Sequence, residues 1–364
     1  MGQGWKRAVL SLIAVVVVLA AAASGYRAWR QERNAQALRI QTSNGIEETL
    51  YVPLGGIDQW VQIRGEDRKN PVLLFMHGGP GNSESALSAL FRPWEHYFTV
   101  VMWDQRCAAR TFERNGAKSC DGMSIAGVAN EGIQLAEFLR RHLGHRKIIA
   151  LGHSWGTMIG VTMVHARPDL FSAYVGTGQV MSIAQKEPVI YARAMARMRA
   201  AHADADIAKL KTVHPPYRTL DEIVVERELS DKYDIASERD LRDNLTSTVL
   251  FAPGWSALDL YWFLNSGSYA ERATMAEVNR FDARRLGADF RVPFFIFNGA
   301  EDNITPAEHA RRYFDFVRAP HKEFVSIPNT GHSAVLTAPD EFLRELVARV
   351  RPIAIANENG ASHG

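Results

Sequence analysis

The residues best suited to chemistry in this chain sit in one short segment, Gly152-His153-Ser154-Trp155-Gly156. It directly follows the apolar run Lys147–Leu151, which reads as a buried strand, and directly precedes a helical pattern reaching about Ala166. A sharp strand-to-helix turn needs small residues on both flanks, because the central backbone is strained and neighbouring chain passes close by. The helix that follows puts partial positive charge where an oxyanion would form. Ser154 is therefore expected to be a nucleophile, as against an idle serine in a glycine-bounded turn.

A serine hydroxyl is a weak nucleophile at neutral pH, so an imidazole base and an orienting carboxylate should accompany it. Twelve histidines compete for the first role. His332 is best placed, in Asn329-Thr330-Gly331-His332-Ser333, after the last apolar run and before the final helical pattern. The acid should follow the preceding strand, within Asn298–Asn303, where Asp302 is preferred to Glu301 because it stands two places before Ile304-Thr305-Pro306. The order Ser154, Asp302, His332 is the one this kind of turn requires. His153 is expected to support the turn, and His309 to lie on the surface of a helix. An oxyanion also needs preformed N–H donors. Trp155 should supply one, and Gly79 in His77-Gly78-Gly79-Pro80-Gly81 the other. A phosphate cradle would need a Gly-Lys-Ser/Thr that this loop lacks.

The elements that must position these residues follow from hydrophobic spacing. Thr49–Pro53 and Ile57–Arg64 read as a hairpin across Gly55-Gly56. Val72–Met76 and Thr99–Trp103 read as strands buried on both faces and Lys147–Leu151 as another buried strand, while Ala173–Val175, Val292–Phe297 and Glu323–Ile327 complete the strand list. Helical patterns fall over Ser124–Leu143, ending at Gly144, and over Pro306–Val317 and Ala338–Val350. Strand and helix alternating in this way predict an α/β fold, a mostly parallel sheet covered by helices on both faces. From about Met181 to Leu286 the alternation stops. Helical segments at Tyr191–Ala203 and Leu220–Leu229, a Pro215-Pro216 break and the aromatics Trp255, Tyr261, Trp262, Phe263 and Tyr269 predict a helical cap over the carboxyl ends of the strands. The core is thus expected over residues 47–180 and 291–352, the cap over 181–290, and a loose polar tail over 353–364.

The 364 residues are 46% hydrophobic and 23% charged, which excludes a disordered or collagen-like chain. Lys plus Arg number 42 and Asp plus Glu 40, but the excess is local. Residues 1–40 hold Lys6, Arg7, Arg27, Arg30, Arg33 and Arg39 against Glu32, or +5, leaving −3 for the rest. A nucleic-acid partner would need a basic face on the folded body, so none is expected. Ala8–Tyr26 carries no Asp, Glu, Lys or Arg, and as a helix it would be roughly 28 Å long, close to a bilayer's hydrocarbon thickness. Behind Lys6 and Arg7 it reads as a signal anchor or, given Ala21-Ala22-Ala23, a cleavable signal peptide over residues 1–26, with a polar linker over 27–46. The catalytic body is then membrane-anchored or exported, in a periplasmic or extracellular setting. Cys107 and Cys120 are expected to form a disulfide there, the alternative being two unpaired apolar thiols. No histidines at ligand spacing stand beside them, so no metal site is expected.

His77-Gly78-Gly79-Pro80-Gly81, Trp103-Asp104-Gln105-Arg106, the Gly152–Gly156 turn and the late Asp302 and His332 together resemble the proline iminopeptidase (prolyl aminopeptidase) branch of the α/β-hydrolase superfamily, over roughly residues 47–350. The resemblance implies release of an N-terminal residue, often proline, from short peptides through an acyl-enzyme, with no metal or cofactor. Two departures stand out. The family's Asp-Gln-Arg-Gly-x-Gly reads Asp104-Gln105-Arg106-Cys107-Ala108-Ala109, so that loop is expected to fold differently. The family's cap motif Trp-Glu-Gly, whose carboxylate holds the substrate ammonium, is absent; Glu226, Glu228 and Glu238 stand either as replacements or as surface charges. Trp255 and Trp262 either line a pocket or form the cap's core. An esterase or other amide hydrolase acting on a small acyl substrate is the alternative activity, and a catalytically silent, membrane-tethered binding protein the alternative class.

Overall fold

A computed structural model describes residues 3–233 and 245–360. Eight strands form one sheet in the order β1-β2-β4-β3-β5-β6-β7-β8. They are β1 (Ile46–Leu54), β2 (Ile57–Gly65), β3 (Val72–Met76), β4 (Thr99–Trp103), β5 (Ile148–His153), β6 (Phe171–Thr177), β7 (Phe294–Gly299) and β8 (Lys322–Ile327). β2 pairs antiparallel with β1 and β4, and every later pairing is parallel. Gly55 and Gly56 both take positive φ, +56° and +82°, as the tight turn of a two-residue hairpin demands. β3 shows why its continuous apolar run is a strand and not half a helix. Val72, Leu74 and Met76 enter one core while Leu73 and Phe75 enter the other, so period-two side chains are buried on both faces.

The helices are α1 (Gln3–Leu38), α2 (Ala109–Asn115), α3 (Ile125–Leu143), α4 (Trp155–Ala166), α5 (Ile183–Ala200), α6 (Asp204–Leu210), α7 (Leu220–Lys232), α8 (Ala257–Asn265), α9 (Gly267–Val278), α10 (Ala307–Phe316), α11 (Pro339–Glu345) and α12 (Arg351–Glu358). α3 is bounded as its sequence predicts: the Ser124 hydroxyl accepts from the Gly127 amide, and Gly144 closes the helix at φ +76°. α3, α4 and α10 cover one face of the sheet, and α11 and α12 the other. α5 to α9 are inserted between β6 and β7 and hold a small core of their own around Met198, Leu210, Tyr217 and Leu229. Trp255 packs with Ala86, Ala109 and Ala252, and Trp262 meets Phe112 in a tilted contact with ring centroids 4.6 Å apart. Both are packing residues.

Two expectations about organisation need correcting. The stretch expected as a linker from Arg27 is helical through Leu38. Arg27, Gln31 and Asn34, spaced along one helix face, bond the carbonyls of Leu250, Phe251, Ala252 and Trp255 on the cap at 2.6–3.0 Å. The tail is not loose from Ile353. Ala354 is buried, Arg351 bonds the Tyr97 carbonyl at 3.0 Å, and the Glu358 carboxylate accepts from the Arg146 and Lys147 amides. In the loop that lacks the family's glycines, Cys107 and Ala109 adopt φ of +63° and +36°, a region that glycine enters freely and other residues resist. Cys107 is joined to Cys120 by a disulfide, with the Cα atoms 4.9 Å apart. Replacing both cysteines with serine is expected to lower the unfolding free energy by about 2–4 kcal/mol in a denaturant titration.

Candidate active site

β5 delivers the chain to the turn and α4 takes it away, leaving Ser154 between them at φ +53°, ψ −114°. The flanking glycines are sterically obligatory. A Cβ on Gly156 would stand 2.0 Å from the Met76 carbonyl oxygen, and one on Gly152 2.4 Å from that of Gly156. The Ser154 amide donates to the Thr177 carbonyl at 2.9 Å, which ties the turn to the end of β6.

Asp302 follows β7 and is fully enclosed, whereas Glu301 points to solvent. The Asp302 carboxylate accepts from the amides of Ile304 (2.9 Å) and Thr305 (2.7 Å) and from the Thr305 hydroxyl (2.6 Å). His332, following β8, places Nδ1 3.2 Å from both carboxylate oxygens. Burial works to raise the Asp302 carboxyl, but the His332 charge and hydrogen bond, with those from Thr305, outweigh it and hold the group below the usual range. The His332 ring lies against Gly178, where a Cβ would stand 2.8 Å from Cε1. Gly178 adjoins Thr177, so imidazole and serine flank the same two residues.

The glycine loop after β3 presses on this turn. A Cβ on Gly78 would lie 3.4 Å from Cβ of Ser154, and Gly79 turns away at φ +106°. The Trp155 indole donates to Gln105 Oε1 at 2.9 Å, anchoring the first turn of α4. Gly79, Ser154 and Trp155 line one cavity of about 190 Å3 beneath the cap.

His153 is not among the residues lining that cavity; its Nδ1 lies 2.8 Å from Glu84 Oε1 and its ring centroid 5.2 Å from that of His332. Burial pulls its pKa down, but the Glu84 hydrogen bond and charge, with Asp302, raise it above the ordinary imidazole value. A folded-state pKa that is raised stabilises fully below the unfolded value, about 6.5, and the gain is lost as pH rises through the folded value. The melting-temperature gap between wild type and Glu84→Gln is therefore expected to be widest near about pH 6 and to narrow in alkali. His309 is buried instead of superficial; burial, with Arg312 beside it, pushes its pKa down to about 4.

The sequence reading missed a cluster of charges inside the cap. Lys186 bonds Glu187 at 2.7 Å, and Arg227 grips both Glu187 oxygens at 2.8 Å. Arg227 also bonds Glu226, which accepts from Ser230 as well. Burial opposes ionisation of Glu187, yet the two cations prevail and bring its pKa down to about 2. Glu271, on α9, lines the same cavity as Ser154. Burial raises its pKa, with Arg227 only partly opposing, and among the described residues no hydrogen bond or ion pair engages its carboxylate. The signal for this cluster was present: Lys186, Glu187 and Glu271 sit on the apolar stripes of their helices, between Ile183 and Ile190 and between Gly267 and Thr274. Of the carboxylates singled out from sequence, Glu226 is fully buried and outside the cavity lining. Glu228 is a surface residue 3.6 Å from Lys209, and Glu238 lies outside the described residues. Among the described residues no group of His, Cys, Asp and Glu could hold a metal ion.

A sequence model of the alpha/beta hydrolase fold matches residues 71–339. The chain is 27% identical over 317 residues to the protein named probable aminopeptidase YbaC of Bacillus subtilis, covering 86% of this chain and 99% of that one. It is 30% identical over 128 residues to the proline iminopeptidase of Clostridioides difficile, a match spanning 34% of this chain and 41% of that protein. Among solved structures, the proline iminopeptidase-related protein TTHA1809 of Thermus thermophilus superposes with a TM-score of 0.55 at 19% identity, covering 87% of this chain and all of that one. A bacterial membrane phospholipase A superposes with a TM-score of 0.57 at 16% identity, covering 96% and 99%.

Proposed function

Because the chain belongs to the alpha/beta hydrolase fold family, we propose that it is a serine hydrolase that releases N-terminal residues from short peptides. His332 Nε2 takes the proton of the Ser154 hydroxyl as Oγ adds to the scissile carbonyl carbon. The amides of Gly79 and Trp155 receive the resulting oxyanion. His332 returns the proton to the leaving amine, and water then splits the acyl-enzyme by the same route. Asp302 holds Nδ1–H and stabilises the imidazolium that forms in both steps. No cofactor enters this sequence.

The observation carrying the peptidase reading is Glu271. The cavity region holds the cations Lys186 and Arg227 against the carboxylates Glu187, Glu226 and Glu271, and the first two carboxylates already occupy both cations. Glu271 is left as a carboxylate lining the same cavity as Ser154, a partner for the α-ammonium of an N-terminal residue. Met158, Val180 and Val278 give that residue an apolar wall. The test is a panel of arylamides with free and acetylated amines. The free amine is expected to raise kcat/KM at least about 10-fold, the value of one charge-assisted hydrogen bond. Equal turnover would transfer the site to a general esterase or amidase, and failure of a fluorophosphonate to label Ser154 would favour a silent binding protein.

The same reading places the enzyme outside the cytoplasm, held by α1. Helix Gly4–Leu38 is apolar enough to cross a bilayer, with a mean hydropathy of 2.5 in its most apolar window. It runs unbroken through Ala21–Ala23 into the side chains that grip the cap, which supports a retained anchor. The disulfide supports an oxidising compartment.

A further inference from the structure

α8 is built almost wholly from apolar residues, yet none of its side chains is buried. Leu258, Tyr261 and Leu264 recur every third residue and are 51%, 54% and 74% exposed. Its one charge, Asp259, is turned back onto the Ser256 amide and Arg110. Leu245, Val249, Leu250, Leu260, Phe263 and Leu264 line an apolar groove alongside. A surface meant for water rarely leaves a contiguous apolar patch of this kind.

What covers it follows from what adjoins it. The Leu250 carbonyl is held by Arg27 Nε at 3.0 Å, the Phe251 ring meets Tyr26 edge-on at 5.8 Å, and the Arg30 guanidinium lies over Phe251 at 4.5 Å. Tyr26 ends the charge-free run that begins at Ala8. Where that run spans the hydrocarbon, Arg27 and the segment it grips stand at headgroup depth, with Arg33 exposed beside them. α8 starts two residues beyond Trp255, whose carbonyl Arg27 and Gln31 also hold.

We infer that α8 and its groove are a bilayer-docking surface, with Leu258, Tyr261 and Leu264 seated in the interfacial lipid beside the anchor. The inference rests on the reading of α1 as a membrane anchor. It adds a second point of contact, in the cap itself, and only Ser266 separates α8 from the helix that carries Glu271.

Both native cysteines are joined to each other, so one introduced cysteine gives a single labelling site. The full chain bearing Leu264→Cys, Val17→Cys or Lys211→Cys, each with a polarity-sensitive fluorophore, is reconstituted into phosphatidylcholine–phosphatidylglycerol vesicles containing doxyl lipids. Lys211 is exposed elsewhere on the cap and serves as the aqueous control. The probe at 264 is expected to be blue-shifted and quenched several-fold more than the probe at 211, approaching the probe at 17. Quenching at 17 with none at 264 overturns the docking surface and leaves the anchor standing. No quenching at 17 overturns the anchor and the inference with it. Shielding of the 264 probe from lipid, with disulfide-linked dimers forming through Cys introduced at 264, assigns the patch to a second copy and likewise overturns it.

Discussion

Ser154→Ala is expected to reduce kcat on the order of 10^6-fold while leaving the melting temperature within a few degrees of wild type. The size follows from the covalent step: without Oγ no acyl-enzyme forms, and His332 and the oxyanion amides are left to act on bound water alone. The stability should survive because, among the described residues, the hydroxyl makes no hydrogen bond that holds the turn. The Thr177 carbonyl takes the Ser154 amide, and the Thr157 amide and hydroxyl take the Ser154 carbonyl, all of which an alanine retains. Single-turnover kinetics with an arylamide, beside a thermal melt, separates the two effects. Retained turnover in a folded variant would remove Ser154 from the mechanism.

Glu271→Gln should do something different in kind. It keeps the shape of the side chain and removes its charge, so a substrate ammonium loses an interaction of about 1.5–3 kcal/mol, or roughly 10- to 150-fold in kcat/KM. Acetylated substrates should be turned over unchanged. Acid separates the readings further. Burial raises the Glu271 carboxyl, with Arg227 the weaker opposing influence, so it takes up a proton at a pH above the usual carboxylate range of about 4.3. As pH falls through that raised value, KM for unblocked peptides should climb in the wild type and stay flat in Glu271→Gln. Steady-state kinetics of both proteins from pH 5 to 8 reads the difference. A variant that loses activity equally on blocked and unblocked substrates would make Glu271 a packing residue.

The central strands were legible because their continuous apolar runs, such as the five residues of Val72–Met76, are shorter than a typical helix. Val72–Met76 and Thr99–Trp103 were bounded to the residue. Ser154, Asp302 and His332 could be singled out because chain order and strand-end position leave few candidates, and Asp302 and His332 lie in hydrogen-bond contact. The cap was legible as helical but not in its contents. A charge such as Glu226 stays ambiguous between surface and site in the sequence, and only the arrangement of the helices reveals that it is buried against Arg227 and Ser230. The helical pattern over Ala338–Val350 stops just short of Pro352. That proline falls in the first turn of α12, where no amide is required of it, so the helix resumes. The polar residues after Tyr26 read as linker for a related reason: Arg27, Gln31 and Asn34 find their partners more than 200 residues away, a separation that local pattern cannot span.

Those three side chains bind α1 to the cap at five hydrogen bonds. Under the proposed reading of α1 as a membrane anchor, they remove the swivel that a domain on a flexible stalk would have. The cavity beneath the cap would then keep a fixed altitude and heading above the bilayer, and for the proposed peptidase reach would become a selection criterion, applied to a peptide end before its side chains are inspected.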